Sequence, residues 1–225
     1  MRSLLPVEDP NALVDSRTRD DAAVYLIDKG RALVVTLDFF TPIVDDAADF
    51  GRIAAANALS DVYAMGARPM FALNLLSFPR GLLEEGIVEE IVRGGAEKAA
   101  EAGIPVLGGH TIDDPEPKYG MVVVGEVDPA HMFANDRAQA GDVLVLTKPL
   151  GTGVVATAIK ADACPPELLE RATQVMTTLN RGAAAAALSA GAHTATDVTG
   201  YGLTGHLRNM VVGSGLSARI EASRV

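Results

Sequence analysis

Ala22-Ala23-Val24-Tyr25-Leu26-Ile27-Asp28, Lys29-Gly30 and Ala32-Leu33-Val34-Val35-Thr36-Leu37-Asp38 form the stretch that decides the fold. Two runs rich in aliphatic and β-branched residues flank a Lys-Gly junction, which suits a tight turn between paired strands. Upstream, Pro6, Asp9, Pro10, Asn11 and Asp15 break any periodicity, so the first twenty residues read as a loop. Downstream, the polar segment Thr41 to Asp46 leads into a helix from about Asp49 to Met65. Asp49 is its expected N-cap and Gly66 its stop. Pro69 to Phe78 is apolar enough for a buried strand, and Leu82 to Ala102 has helical periodicity closing at Gly103. Ile104–Leu107 and Tyr119–Val127 read as strands around a Gly-, Asp- and Pro-rich loop, Gly108 to Lys118. A boundary is expected near Pro129–Gly141, then a strand over Asp142–Thr147, a Gly-rich turn and helices, with Ala183–Ala187 good helix sequence. Leu216 to Glu221 reads as the opening strand of a sheet with nothing after it to pair with, so the second domain is expected to be truncated. Strands alternating with helices give an α/β (α+β) class.

Composition narrows the partners. Hydrophobic residues make up 48% and charged residues 21%, values of an ordinary globular protein. The formal net charge of -10 argues against a nucleic-acid or anionic-membrane partner, since phosphate backbones call for clustered Lys and Arg. A negatively charged substrate needs local cations to offset that field. The single cysteine, Cys164, permits no intrachain disulfide, which fits a cytoplasmic location. No signal peptide opens the sequence, and no stretch approaches the roughly 20 apolar residues of a membrane span.

The chemistry-bearing residues are carboxylates at the ends of predicted elements. Asp20 and Asp21 precede the first strand of the hairpin and Asp38 closes the second. Asp61 falls one helical turn after Asn57, so both face the same way. Asp197, read as following a short strand, precedes Gly200, Gly202 and Gly205. Converging aspartates with few histidines suit magnesium, a hard cation that takes oxygen ligands. Each aspartate alone is equally a cap, a turn former or a solvated residue. Asp61 is the least easily set aside, because it lies among Ala54, Ala55, Ala56 and Ala58, where close packing leaves a carboxylate in need of a partner. Gly108-Gly109-His110-Thr111, Gly151-Thr152-Gly153 and Gly200-Tyr201-Gly202 could hold phosphate, the last two at helix starts. A turn or close packing explains these glycines as well. His110, His131, His193 and His206 lack metal-ligand spacing, and Cys164 reads as structural.

Six motifs carry a resemblance. They are Thr18-Arg19-Asp20-Asp21-Ala22-Ala23-Val24-Tyr25, Asp38-Phe39-Phe40-Thr41-Pro42-Ile43-Val44-Asp45, Asn57 through Gly66, Gly108-Gly109-His110-Thr111-Ile112-Asp113, Thr147-Lys148-Pro149-Leu150-Gly151, and Thr196-Asp197-Val198-Thr199-Gly200-Tyr201-Gly202-Leu203. From about Asp9 to Arg219 the chain resembles the selenophosphate synthetases (selenide, water dikinases), of the aminoimidazole ribonucleotide synthetase-like superfamily. The Asp-Phe-Phe-Thr-Pro and Gly-Gly-His-Thr segments separate it from thiamine-monophosphate kinases, which look to have Gly-Gly-Asp at the latter place.

The resemblance implies two domains, residues 1–135 for ATP, metal and dimerisation and residues 136–225 as an incomplete C-terminal domain. It implies a homodimer joined through its N-terminal sheets. It implies that Asp21, Asp61 and Asp197 bind Mg2+, and that Thr18, Arg19, Asp20, Asp38 and Asp61 contact nucleotide or its metals. Gly109, His110 and Thr111 would reach ATP in the partner subunit. The implied reaction makes selenophosphate, AMP and phosphate from selenide, ATP and water. The family's nucleophilic Cys or selenocysteine, with a Lys shortly after it, would precede Met1, so no catalytic residue is assigned and the chain as it stands is expected not to turn over. A longer selenoprotein with its nucleophile encoded upstream is one expectation and a trimmed form is the other. The competing reading is a non-catalytic paralogue that binds nucleotide or dimerises as a regulator.

Overall fold

The computed structural model describes residues 8–81 and 86–225. The hairpin forms as its alternation dictates. β2 (Ala23–Asp28) and β3 (Arg31–Phe40) pair antiparallel, with Val24 opposite Val34 and Asp28 opposite Arg31. A short strand, β1 (Ala12–Val14), pairs with β2, so the first twenty residues are not wholly loop. β3 pairs antiparallel with β6 (Lys118–Val127), which pairs with β4 (Arg68–Phe78). β5 (Val106–Asp113) lies parallel to β4 at the edge of a six-stranded sheet of order β1-β2-β3-β6-β4-β5. The expected Gly108–Lys118 loop is therefore a loop only over residues 114–117. Residues 108–113 extend β5, because β4 offers a free edge whose hydrogen bonds outweigh the poor strand propensity of two glycines.

Two helices cover one face of the sheet. α1 (Ala47–Ala64) starts at Asp46, whose carboxylate accepts the Asp49 backbone N–H. Asp46, not Asp49, is thus the N-cap, with Asp49 completing the first turn. α2 (Ile87–Ala102) ends at Gly103 as expected, and the start read at Leu82 lies outside the described residues. The two helices approach closely because Gly51 and Gly94 carry no side chains. A Cβ on Gly51 would sit 1.9 Å from the Ile91 carbonyl oxygen, and one on Gly94 would sit 2.0 Å from that of Ala48. Phe50, Leu59, Tyr119, Met121 and Val123 fill the layer between helices and sheet.

The second half is helical: α3 (Thr152–Lys160), α4 (Pro166–Thr177), α5 (Arg181–Ser189) and α6 (Gly202–Gly213). α4 packs against α1. The strands read at Asp142–Thr147 and Leu216–Glu221 are absent, and so is the short strand before Asp197. An apolar run becomes a strand only with a ladder partner, and none is present among the described residues. Val143 and Val145 remain 84% and 79% exposed.

Candidate functional site

Strand periodicity and helix periodicity build one side of the site together. Inward residues of β3 recur at Ala32, Val34, Thr36 and Asp38. α1 lies over that face and presents Asn57 and Asp61 one turn apart. The two rows meet pairwise: Thr36 Oγ1 donates to Asp61 Oδ2, and Asn57 Nδ2 donates to Asp38 Oδ2 at 2.5 Å. Asp61 is only 8% exposed, so a carboxylate sits at the core boundary.

The other side comes from two loops. Asp21 ends the loop before β2, and Asp197 lies in the irregular segment before α6. Thr196 Oγ1 donates to Asp21 Oδ1 at 3.0 Å. Asp21, Asp197 and His206 present ligand-type atoms that all lie within 4.8 Å of one another. His206 is buried on α6, and its Nε2 accepts the Thr199 N–H at 3.2 Å. Sequence spacing did not single out His206: Asp197 and Thr199 lie just before α6, but Asp21 comes from a loop at the far end of the chain.

Burial raises the pKa of each of these carboxyls, and repulsion from Asp197 adds to it at Asp21, Asp61 and Asp38. Burial, then the charge of Asp197, raise Asp21 well above the carboxylate range against the Thr196 bond. The same two causes push Asp61 up to about 9, partly offset by Thr36. Burial raises Asp38, with Asn57 opposing it. Burial also raises Asp197, while Ser60, His206 and Lys148 favour its charged form. Lys148 faces this group: burial lowers its pKa, and Asp197 pulls it back up.

The arrangement fits a divalent cation. Asp20 Oδ2 and Asp21 Oδ2 are buried with no hydrogen-bond partner, an expensive state for carboxylate oxygens unless a cation meets them. Asp20 Oδ1 accepts the Asn135 backbone N–H at 2.6 Å, so Asp20 is anchored by one oxygen only. Thr18 bonds locally to the Asp15 carbonyl, and the Arg19 side chain is exposed. Gly109, His110 and Thr111 lie apart, on the β5 edge, in a groove also lined by Asn74, Leu76 and Val92 and by none of these aspartates. Cys164 lies in the turn between α3 and α4, its sulfur 3.6 Å from the Pro165 carbonyl oxygen.

Comparison with known proteins bears on the family and the fold. The family model of the AIR synthase related protein N-terminal domain matches residues 19–127, and that of the C-terminal domain matches residues 139–225. The selenide, water dikinase of Carboxydothermus hydrogenoformans is 54% identical over 94% of this chain and 61% of its own length. That of Myxococcus xanthus is 53% identical over 99% of this chain and 63% of its own length. This chain thus spans under two thirds of the curated relatives it matches. A solved structure of AaThiL complexed with AMPPCP and TMP shares the fold, with a TM-score of 0.75 at 22% identity over 87% of this chain and 64% of that one. With both domain models matched in order, the chain belongs to the AIR synthase-related family, and about half its residues are shared with the selenide, water dikinases to which it is similar.

Proposed function

We propose that these residues form the ATP- and Mg2+-binding part of a selenide, water dikinase, an enzyme that makes selenophosphate, AMP and phosphate from selenide, ATP and water. The observation that carries this reading is the gathering of Asp21, Asp38, Asp61 and Asp197, Asp61 buried and the other three half-buried, with an unpartnered oxygen on Asp21. Once ionised, these carboxylates repel one another, and cations relieve that repulsion; hydrated Mg2+ with substrate phosphates is the natural complement. In this reading Asp21, Asp61 and Asp197 hold the metal, while Thr18, Arg19, Asp20 and Asp38 meet the nucleotide or its metals. Bound Mg2+ would neutralise the phosphates and stabilise charge developing on transfer. The chain's own work is positioning. Thr196, Thr36 and Asn57 fix the carboxylates of Asp21, Asp61 and Asp38, and Lys148 adds a positive group beside Asp197. The N-caps of α3 and α6, Gly151 and Tyr201, make no side-chain cap hydrogen bond, leaving N–H groups for phosphate.

The proposal extends to a cytoplasmic homodimer of two-domain subunits, divided near residue 135. The sheet face opposite α1 and α2 exposes Tyr25, Ile27, Val35, Leu37 and Phe39, and a second copy seated there would bury them. Gly109, His110 and Thr111 would then reach the partner's nucleotide. Among the described residues no helix is long and apolar enough to cross a membrane.

The test is a chimera in which this chain replaces the matching 63% of the Myxococcus xanthus enzyme. Phosphorus NMR should show AMP and a selenium-bonded phosphate formed only when selenide is supplied, and neither after Asp197→Asn. A folded chimera that binds ATP yet forms ADP, or forms no AMP with selenide, would refute the assignment.

A further inference from the structure

We propose that Asn135 is the positioning residue for the Asp20–Asp21 loop, acting by holding Arg19 in a left-handed conformation. The inference rests on reading Asp21 as a cation ligand. Arg19 has φ of +57°, and among described residues other than glycine only Asp162 shares that sign. Arginine has no short polar side chain to stabilise this backbone locally, so outside contacts must hold it. Asn135 supplies them: its Nδ2 donates to the Arg19 carbonyl at 2.9 Å, and its backbone N–H donates to Asp20 Oδ1 at 2.6 Å. Two successive residues are thereby fixed from one point, and the next residue is Asp21.

Asn135 is 1% exposed, and its Oδ1 is buried without a partner. Burying an amide with an unmet acceptor is costly, which makes the donor half, aimed at Arg19, the reason for the side chain. Asn135 is itself anchored. Its carbonyl accepts the Ser214 hydroxyl at 3.0 Å, and that hydroxyl accepts the Ala138 N–H at 2.9 Å. Ser214 caps α6, the helix that carries His206. The clamp therefore ties the loop of Asp21 to the helix that follows Asp197.

The test uses the whole chain as wild type, Asn135→Ala, Arg19→Gly and the double variant. Hydrogen exchange should rise at residues 19–22 in Asn135→Ala and stay unchanged in β4 and β6. Mn2+ affinity, followed by electron paramagnetic resonance, should fall by about ten-fold, as for other residues that orient metal ligands. Arg19→Gly should restore part of both losses in the Asn135→Ala background, because glycine adopts positive φ without strain. Unchanged exchange and affinity in Asn135→Ala would overturn the proposal. So would equal deprotection of β4 and β6, which marks general unfolding, or absence of any rescue. If wild type takes up no Mn2+, the cation reading of Asp21 fails, and the exchange pattern alone judges the clamp.

Discussion

Thr196 donates its hydroxyl to Asp21 across a separation of 175 residues, at 3.0 Å, and this bond sets the loop before β2 against the segment that carries Asp197. The carboxylates of the site are therefore assembled by the fold rather than by any local motif. Thr196→Val keeps the shape and removes the donor. It should weaken Mn2+ binding by about ten-fold while leaving the melting temperature within a few degrees, measured by calorimetric titration and thermal unfolding.

The pH dependence of stability without divalent cation follows from Asp61, whose carboxyl moves from 3.8 to about 9 on folding. Between those values the folded state holds a proton that the unfolded state has lost. The stabilising contribution is complete below the unfolded pKa and disappears as pH rises toward 9. Asp21, Asp38 and Asp197 are raised too and act with the same sign. Urea unfolding in a chelator should therefore give lower stability at about pH 8.5 than at about pH 5. Asp61→Asn should be more stable than wild type at the higher pH. Equal midpoints for the two proteins there would contradict the burial of this carboxylate.

Close approach of α1 and α2 predicts intolerance at Gly51. Gly51→Ala places a Cβ 1.9 Å from a backbone oxygen, so the helices must separate. A loss of about 1–3 kcal/mol is expected. Each kcal/mol should lower the melting temperature by about 2–4 °C for a chain of this size. An unchanged melting temperature would show that the helices part without cost.

Leu37 stands 56% exposed in the centre of the uncovered sheet face. Leu37→Asp should convert a dimer into a monomer by light scattering, with the far-ultraviolet circular dichroism unchanged. A wild-type protein that is already monomeric at micromolar concentration would remove the dimer from the proposal.

Much of this was legible in the residues. The Ala22–Asp38 alternation gave the hairpin, and the four-residue spacing of Asn57 and Asp61 placed both on the face that meets β3. Thr36 could have been found the same way, two residues before Asp38 on the same side of a strand. His206 and Asn135 could not. Asn135 meets Arg19 and Asp20 from more than a hundred residues away, and His206, though close in sequence to Asp197 and Thr199, meets Asp21 only through the fold; local periodicity reports neither meeting. The Gly108–Asp113 strand was hidden for a related reason: its pairing is imposed by β4, while its own composition favours a turn. Over 142–147 the reverse holds: apolar residues favour a strand locally, but the segment has no ladder partner among the described residues.

The central claim is that the aspartate cleft holds nucleotide through a divalent cation. Calorimetric titration of ATP into the chain, with Mg2+ and with chelator, tests it most directly. Binding should require Mg2+ and should vanish in Asp197→Asn, while that variant keeps its fold by circular dichroism. ATP binding of equal strength in chelator, or undiminished in Asp197→Asn, would contradict the account.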